Sequence, residues 1–478
     1  MLQSTGPRTL LWFRGKDLRV TDHGPLRLAL SRGGDLICLF VLDPFFFSPE
    51  QARELPHRIQ FLLESLGELE ATLAKLGSRL FLVEGRSTEV VPRLAELWKV
   101  DSVLASRWTE PFGRERDRRV GQALAAAGVG FEMVEGDTLT PPGSVLTGTG
   151  KLHSVFTPFA RAFEREIVVG RPGPAPKRLP APPSGLAPVA TVSIPTMESL
   201  GMAPNGQLLA GGEKAAQVRL RLFLSDALPE YPNGRDRLDE EGTSRLSQDF
   251  KFGTLSLRSA WWAVLDHSGA HPEGARRFRT ELLWREFAYH WMHARPDVLT
   301  QPFRADFHGF PWRRDGDLFQ AWAQGRTGYP VVDAAARQLL STGFVHNRAR
   351  MIAASFLTKH LGLDFRLGEA HYLKWLTDGD WAINNMGWQW SAGCGCDAQP
   401  WFRVFNPMLQ GQKFDPMGAY VKRHVPELAD LDPRWIHEPW KAPEALRRKL
   451  DYPPPVVEHS MARATFLAVA KAHVSARP

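Results

Sequence analysis

A chain of 478 residues is long enough to bury a sizeable core and to form more than one domain. Its three cysteines, Cys38, Cys394 and Cys396, are too few for a disulfide framework or a four-thiolate iron–sulfur cluster, and the Cys-Gly-Cys pair lacks the partners of a zinc site, so no metal is expected. The net charge of +7 favours a polyanion such as DNA as partner, and with neither a signal peptide nor a membrane span in the sequence, a soluble cytoplasmic protein is expected.

Short apolar runs at 9–13, 36–42, 79–83, 102–105 and 130–134 alternate with helix-length amphipathic segments. Strands that are apolar throughout belong in a parallel sheet covered on both faces, so residues 1–137 are expected to form a doubly wound α/β domain. Neither a phosphate loop nor Gly-x-Gly-x-x-Gly follows the first strand, which removes the ordinary dinucleotide fingerprint. Residues 138–205 read as a connector, because the prolines from Pro172 to Pro183 exclude helix and sheet interior alike. From Lys214 on, helical periodicity dominates, at 214–226, 274–294, 333–340, 346–360, 368–377 and 457–473. Residues 206–478 are therefore expected to be all-α.

Three stretches of that second region carry residue types suited to binding and redox chemistry. Thr243-Ser244-Arg245-Leu246-Ser247 sets hydroxyls, backbone N–H groups and a guanidinium in a row, a combination that can wrap a diphosphate and equally one that can cap a helix. On the segment beginning Glu281-Leu282-Leu283-Trp284-Arg285, helical spacing puts Glu281, Trp284, Ala288 and Trp291 on one side, an acid beside an indole. Asp378-Gly379-Asp380 reads as a tight turn, with glycine supplying freedom, at the start of a helix on which Asn384 and Trp388 share a face.

The run from Asp378 to Trp390 resembles the flavin-cradling segment of the cryptochrome/photolyase family. Tyr329-Pro330-Val331-Val332-Asp333-Ala334, Asn406-Pro407 and the Thr243–Ser247 row follow the same family's pattern and order, so the resemblance spans nearly the whole chain. It is nearest to the class I enzymes that repair cyclobutane pyrimidine dimers in UV-damaged DNA. The resemblance implies FAD, active in its reduced anionic form, in contact with Tyr231, Thr243, Ser244, Arg245, Leu246, Ser247, Phe278, Arg285, Asn347, Arg350, Asp378, Asp380 and Asn384. It further implies an Arg350–Asp378 pair and Asn384 beside flavin N5. Glu281, Trp284, Met351 and Trp390 would face the lesion, and Arg235, Arg348 and Arg403 the DNA phosphates.

In the α/β domain, Trp12-Phe13-Arg14 with Asp17-Leu18-Arg19 resembles the family's opening motif, and Glu110 lies in a family-like segment. The resemblance implies a light-harvesting second chromophore there, and whether that is a folate, a deazaflavin, another flavin or nothing stays open. Family members that repair (6-4) photoproducts carry a second histidine near His346, where this chain has Asn347 and Met351, so cyclobutane dimers are the expected substrate. The family re-reduces its flavin through three tryptophans. Trp388 and Trp312 match the first and last, but Phe365 occupies the middle position, so the relay should be broken or rerouted through Trp381, Trp375, Tyr372 or Trp401. The expected protein is a monomeric light-dependent lyase, and the alternative is a flavin photoreceptor of cryptochrome type that repairs nothing.

Overall fold

The computed structural model describes residues 6–475 and divides into two compact units. The first comprises residues up to 153 together with 158–229 and 244–296, and the second comprises 154–157, 230–243 and 297–478.

In the first unit, β1 (Arg8–Phe13), β2 (Asp35–Leu42), β3 (Leu80–Glu84), β4 (Ser102–Ser106) and β5 (Gly130–Val134) form one parallel sheet in the order β3-β2-β1-β4-β5. The period-two alternation of a strand divides its side chains between two cores. Leu11, Phe13, Cys38, Phe40 and Leu104 pack on one face, while Leu10, Trp12, Ile37, Leu39 and Val103 pack on the other. Around β1, β2 and β4 both faces are dry, which is why those strands read as apolar runs, whereas the edge strand β5 is exposed to half-buried. The chain runs outward from β1 to β2 and β3 and then crosses back to β4 on the other side of β1, so the carboxyl ends of β1 and β4 mark a topological switch point. The helix α1 (Pro111–Ala126) follows β4 there.

Within the stretch expected to be a connector, Phe156–Glu166 forms an 11-residue helix. Pro158 falls in its first turn, where a missing N–H costs nothing. The proline-dense run after it carries no regular structure. The last long element of this unit is α2 (Pro272–Ala294), a 23-residue helix.

The second unit is helical. Around its core run α3 (Gly316–Ala323), α4 (Pro330–Thr342), α5 (Asn347–Lys359), α6 (Phe365–Trp375), α7 (Trp381–Ala392) and α8 (His459–Ser475). One continuous cluster joins Trp322, Tyr329, Val332, Leu339, Ile352, Phe356, Phe365, Tyr372, Trp388 and Phe466. The cysteines Cys38, Cys394 and Cys396 are all buried and unlinked.

Candidate active site

The start of α7 is fixed by its own sequence. Asp380 is the N-cap, and its Oδ1 accepts from the N–H groups of Ala382 at 3.0 Å and Ile383 at 3.1 Å, which satisfies two of the donors that a helix start leaves open. The turn before it is made without left-handed backbone at Gly379, contrary to the reading of that glycine as a conformational necessity. Its bonds are instead Gly379 N–H to Leu376 O at 3.2 Å and Thr377 N–H to Gly343 O at 2.8 Å.

That turn presents Asp378 to Arg350. The Arg350 Nη2 donates to both carboxylate oxygens, at 2.8 and 3.1 Å, while its Nε donates to Val345 O at 2.7 Å. Asp378 is 8% exposed and Arg350 23%, so this is the half-desolvated pair that the resemblance implies. One turn into α7, Asn384 Nδ2 donates to the Glu369 carbonyl at 3.0 Å, and Asn385 Nδ2 donates to the Glu369 carboxyl at 2.9 Å. Burial pushes the Glu369 carboxyl up to about 7. The Asn384 amide is thus oriented by its nitrogen, and among the described residues no hydrogen bond is made to its oxygen.

At the start of α5, His346 is the N-cap and its Nδ1 accepts from Arg348 N–H at 3.1 Å. Burial pulls His346 down to about 4, so it is neutral near pH 7. Asn347 is exposed, and its Nδ2 lies 3.8 Å from Met351 Sδ one turn on. Arg348 pairs with Asp236 at 2.9 Å and lies over the Phe414 ring, and Arg235 is 3.9 Å from the same Asp236. Tyr231 is buried, Thr243 and Trp390 are half-buried, and Arg403 is exposed with its guanidinium 5.7 Å from the Phe405 ring.

The relay residues are placed unequally. Trp388 is buried and its ring meets Tyr372 and Trp322, at centroid distances of 5.1 and 5.8 Å. Trp312 meets Phe310 and, at 6.4 Å, Phe365. Phe365 therefore stands where the middle carrier was sought, and Trp322, absent from the replacements considered above, touches the first carrier.

In the first unit the Ser244–Ser247 segment turns sharply: Arg245 holds φ +50, a left-handed conformation that a long side chain seldom adopts, and Ser244 Oγ accepts from Leu246 N–H at 3.4 Å. On α2, Phe278 is buried against Phe223, while Glu281 and Trp284 are half-buried. Arg285 is held within this unit. Its guanidinium donates to the carbonyl of Asp137 at 2.5 Å, to the Asp137 carboxylate at 3.1 Å and to the Tyr289 hydroxyl at 3.0 Å, which commits it to tying α2 to residue 137.

Sequence reading also missed a buried charge cluster beyond the ends of β1 and β4. Lys16 Nζ lies 2.5 Å from Glu110 and 2.9 Å from Asp137, and Arg14 donates to Asp117 at 2.6 Å. The Arg14 and Arg116 guanidiniums lie 4.9 and 4.4 Å from the Trp12 and Trp108 rings respectively. Burial pulls Arg116 down to about 10. Trp108 Nε1, both Glu110 oxygens and Arg14 Nη2 are buried without a well-aligned hydrogen-bond partner. Glu110 keeps its charge partner in Lys16, while Trp108 Nε1 and Arg14 Nη2 find no acceptor among the described residues, and a buried polar group left unsatisfied is costly. The partners lie about a hundred residues apart in sequence, and no local pattern announces them.

Residues 9–183 match the family model described as DNA photolyase, and residues 278–472 match the FAD binding domain of DNA photolyase. A deoxyribodipyrimidine photo-lyase of Synechococcus sp. is 38% identical over 469 residues, covering 96% of each chain, and that of Thermus thermophilus is 42% identical, covering 89% of this chain and 94% of its own. The chain belongs to the cryptochrome/photolyase family. Among solved structures, a class III photolyase from Agrobacterium tumefaciens superposes with a TM-score of 0.91 at 35% identity, covering 99% of this chain and 98% of its own. A cryptochrome from Synechocystis sp. superposes with a TM-score of 0.88 at 29% identity, covering 98% of this chain and all of its own. An archaeal photolyase from Sulfolobus tokodaii, described with two FAD molecules and a novel light-harvesting cofactor, gives 0.83 at 30% identity over 98% of this chain and all of its own.

Proposed function

We propose that this chain is a light-dependent DNA repair enzyme that splits cyclobutane pyrimidine dimers with FAD as its cofactor. The observation that carries the reading is the start of α7, where a half-desolvated Arg350–Asp378 pair stands one turn from an asparagine amide oriented by the Glu369 carbonyl. These residues fit a flavin. Among the described residues no hydrogen bond is made to the Asn384 oxygen, whose amide nitrogen is held by Glu369, and Thr377 Oγ1 is buried with no partner. Reduced FAD, when bound and excited, supplies the electron that opens the cyclobutane ring and receives it back afterwards.

The residues hold and orient. Asn384 Oδ1 would accept a hydrogen bond from a ring N–H, Arg350 on α5 would balance charge on the ring, and Asp380 caps α7, the helix that carries Asn384. We assign Tyr231, Thr243, Ser244, Arg245, Leu246, Ser247 and Phe278 to the remainder of the cofactor, with Asn347 at its edge. Glu281 would hydrogen-bond, and Trp284, Met351 and Trp390 would pack against, a dimer that has left the base stack, a move made cheap by its damaged pairing. His346 favours the cyclobutane lesion over one needing acid catalysis, since its Nδ1 serves the helix cap and it stays unprotonated near pH 7.

We further assign light harvesting to residues 1–137, flavin and DNA handling to 206–478, and the join to 138–205. The unsatisfied cluster at Trp108, Glu110 and Arg14 is our candidate seat for a second chromophore. The protein is proposed to act as a monomer in the cytoplasm. Among the described residues, no helix is long and apolar enough to cross a membrane.

The test uses purified protein, dimer-containing oligonucleotide, a reductant and blue light. A flavin absorbance band with light-dependent loss of dimers is expected. A flavin-loaded protein that leaves the dimers intact would favour the photoreceptor reading that the likeness to a cryptochrome keeps alive. A protein that takes up no flavin would remove both.

A further inference from the structure

We propose that Trp322 is the second electron carrier of this chain, passing an electron to oxidised Trp388 in place of the route through residue 365. The proposal rests on the flavin reading above, because it concerns how the cofactor's electron is replaced. Everything it uses lies within the second unit.

Once Trp388 has given up an electron, only a ring close to it can refill it, since tunnelling falls off steeply with the gap. Two oxidisable rings touch it: Tyr372 at 5.1 Å and Trp322 at 5.8 Å between centroids. The other direction is closed by chemistry. Phe365 is the ring that meets Trp312, and a benzene ring is far harder to oxidise than an indole.

Tyr372 is the nearer ring and the poorer donor. A phenol gives up an electron readily only when its proton leaves at the same time, and Tyr372 Oη is buried with no hydrogen-bond partner to take that proton. Trp322 needs no such transfer, because an indole can lose an electron and keep its proton.

The surroundings of Trp322 also favour the positive charge. Its Nε1–H donates to Ala353 O at 3.0 Å, and that carbonyl dipole stabilises an indole whose N–H becomes more acidic on oxidation. His371, 5.5 Å away, is pulled down to about 4 by burial, so no imidazolium opposes the charge. The Tyr372 and Phe319 rings stack on Trp322 at 5.9 and 6.0 Å, which spreads the charge over polarisable neighbours.

The step is one electron from Trp322 to the Trp388 radical cation. No bond forms or breaks, and the indole proton stays on Trp322, hydrogen-bonded to Ala353 O. With flavin bound, the electron that Trp388 loses goes to its photoexcited oxidised form, and the thiol reductant in solution is the final electron source; because Trp322 is itself buried, that electron reaches it across the surrounding protein shell and not by contact.

The experiment is photoreduction of the oxidised, flavin-loaded protein with dithiothreitol, followed by steady-state absorbance and by transient absorption of the tryptophan radical cation. Trp322→Phe is expected to lose most of the photoreduction yield and to shorten the radical's lifetime, as Trp388→Phe does. Trp312→Phe and Tyr372→Phe are expected to behave as the parent. Adding Phe365→Trp to Trp322→Phe reopens the route to Trp312 and should restore the yield, a rescue that a misfolded variant would not show. Full yield in Trp322→Phe together with its loss in Trp312→Phe or Tyr372→Phe would overturn the proposal. Protein without flavin absorbance would instead sink the functional reading beneath it.

Discussion

Glu369 shows how a single buried acid couples the candidate site to pH. Its carboxyl accepts from Asn385, its carbonyl orients Asn384, and burial raises its pKa to about 7. An acid whose folded pKa lies above its unfolded value binds a proton more tightly when folded. Its stabilising contribution is therefore complete below the unfolded value of roughly 4.3 and is lost as pH rises toward 7. Glu369→Gln keeps an acceptor for Asn385 and removes the ionisation. We expect it to be more stable than the parent at pH 8 by about 1–3 kcal/mol and nearly equal to it at about pH 4, as read from urea midpoints at the two pH values. An unchanged difference across that range would mean that Glu369 is ionised in the fold. Residues of this kind were only partly legible. Arg350 and Asp378 could be paired from charge type and family pattern, but Arg285 could not be assigned to Asp137, 148 residues away, because nothing local points there. Trp322 was not legible as a carrier at all, since the sequence does not say which rings a buried indole touches.

Elements were more legible where period or punctuation is strong. The five apolar runs became the five strands within a residue or two, because the inner strands, covered on both faces, demand apolar side chains at nearly every position. The acid before α7 announced its cap. Less legible were the helix Phe156–Glu166, whose first-turn proline disguised it among the prolines that follow, and the close approach of α6 to α7. That approach is set at Gly368, where a Cβ would lie 2.1 Å from the far edge of the Trp388 indole and 2.7 Å from Leu357. Glycine inside a helix ordinarily costs about 1 kcal/mol relative to alanine, so Gly368→Ala should stabilise α6 if packing were indifferent. Here the added methyl must displace a buried ring, and overpacking of about 1–3 kcal/mol outweighs the propensity gain. Gly368→Ala is therefore expected to unfold at a lower temperature and to shift Trp388 fluorescence. A rise in Tm would show that α6 and α7 have slack between them.

For the whole molecule the relevant quantity is charge and where it is left unneutralised. A formal +7 supplies a general attraction to DNA, but the candidate phosphate contacts are not equivalent. Arg348 and Arg235 share one acid, Asp236, at 2.9 and 3.9 Å, so each phosphate they bind is taken in competition with a carboxylate. Arg403 is exposed and rests on an aromatic ring. Binding to a dimer-containing duplex should weaken as salt rises, because each phosphate that is neutralised releases counterions. Arg403→Gln should weaken it at low salt and reduce the slope of log affinity against log salt by about one. Asp236→Asn should act in the opposite sense, freeing two guanidiniums, tightening binding and steepening the slope. Fluorescence anisotropy titrations at several salt concentrations measure both. If Asp236→Asn weakened binding instead, Asp236 would be needed to aim Arg348, and the arginines would act through geometry and not through net charge.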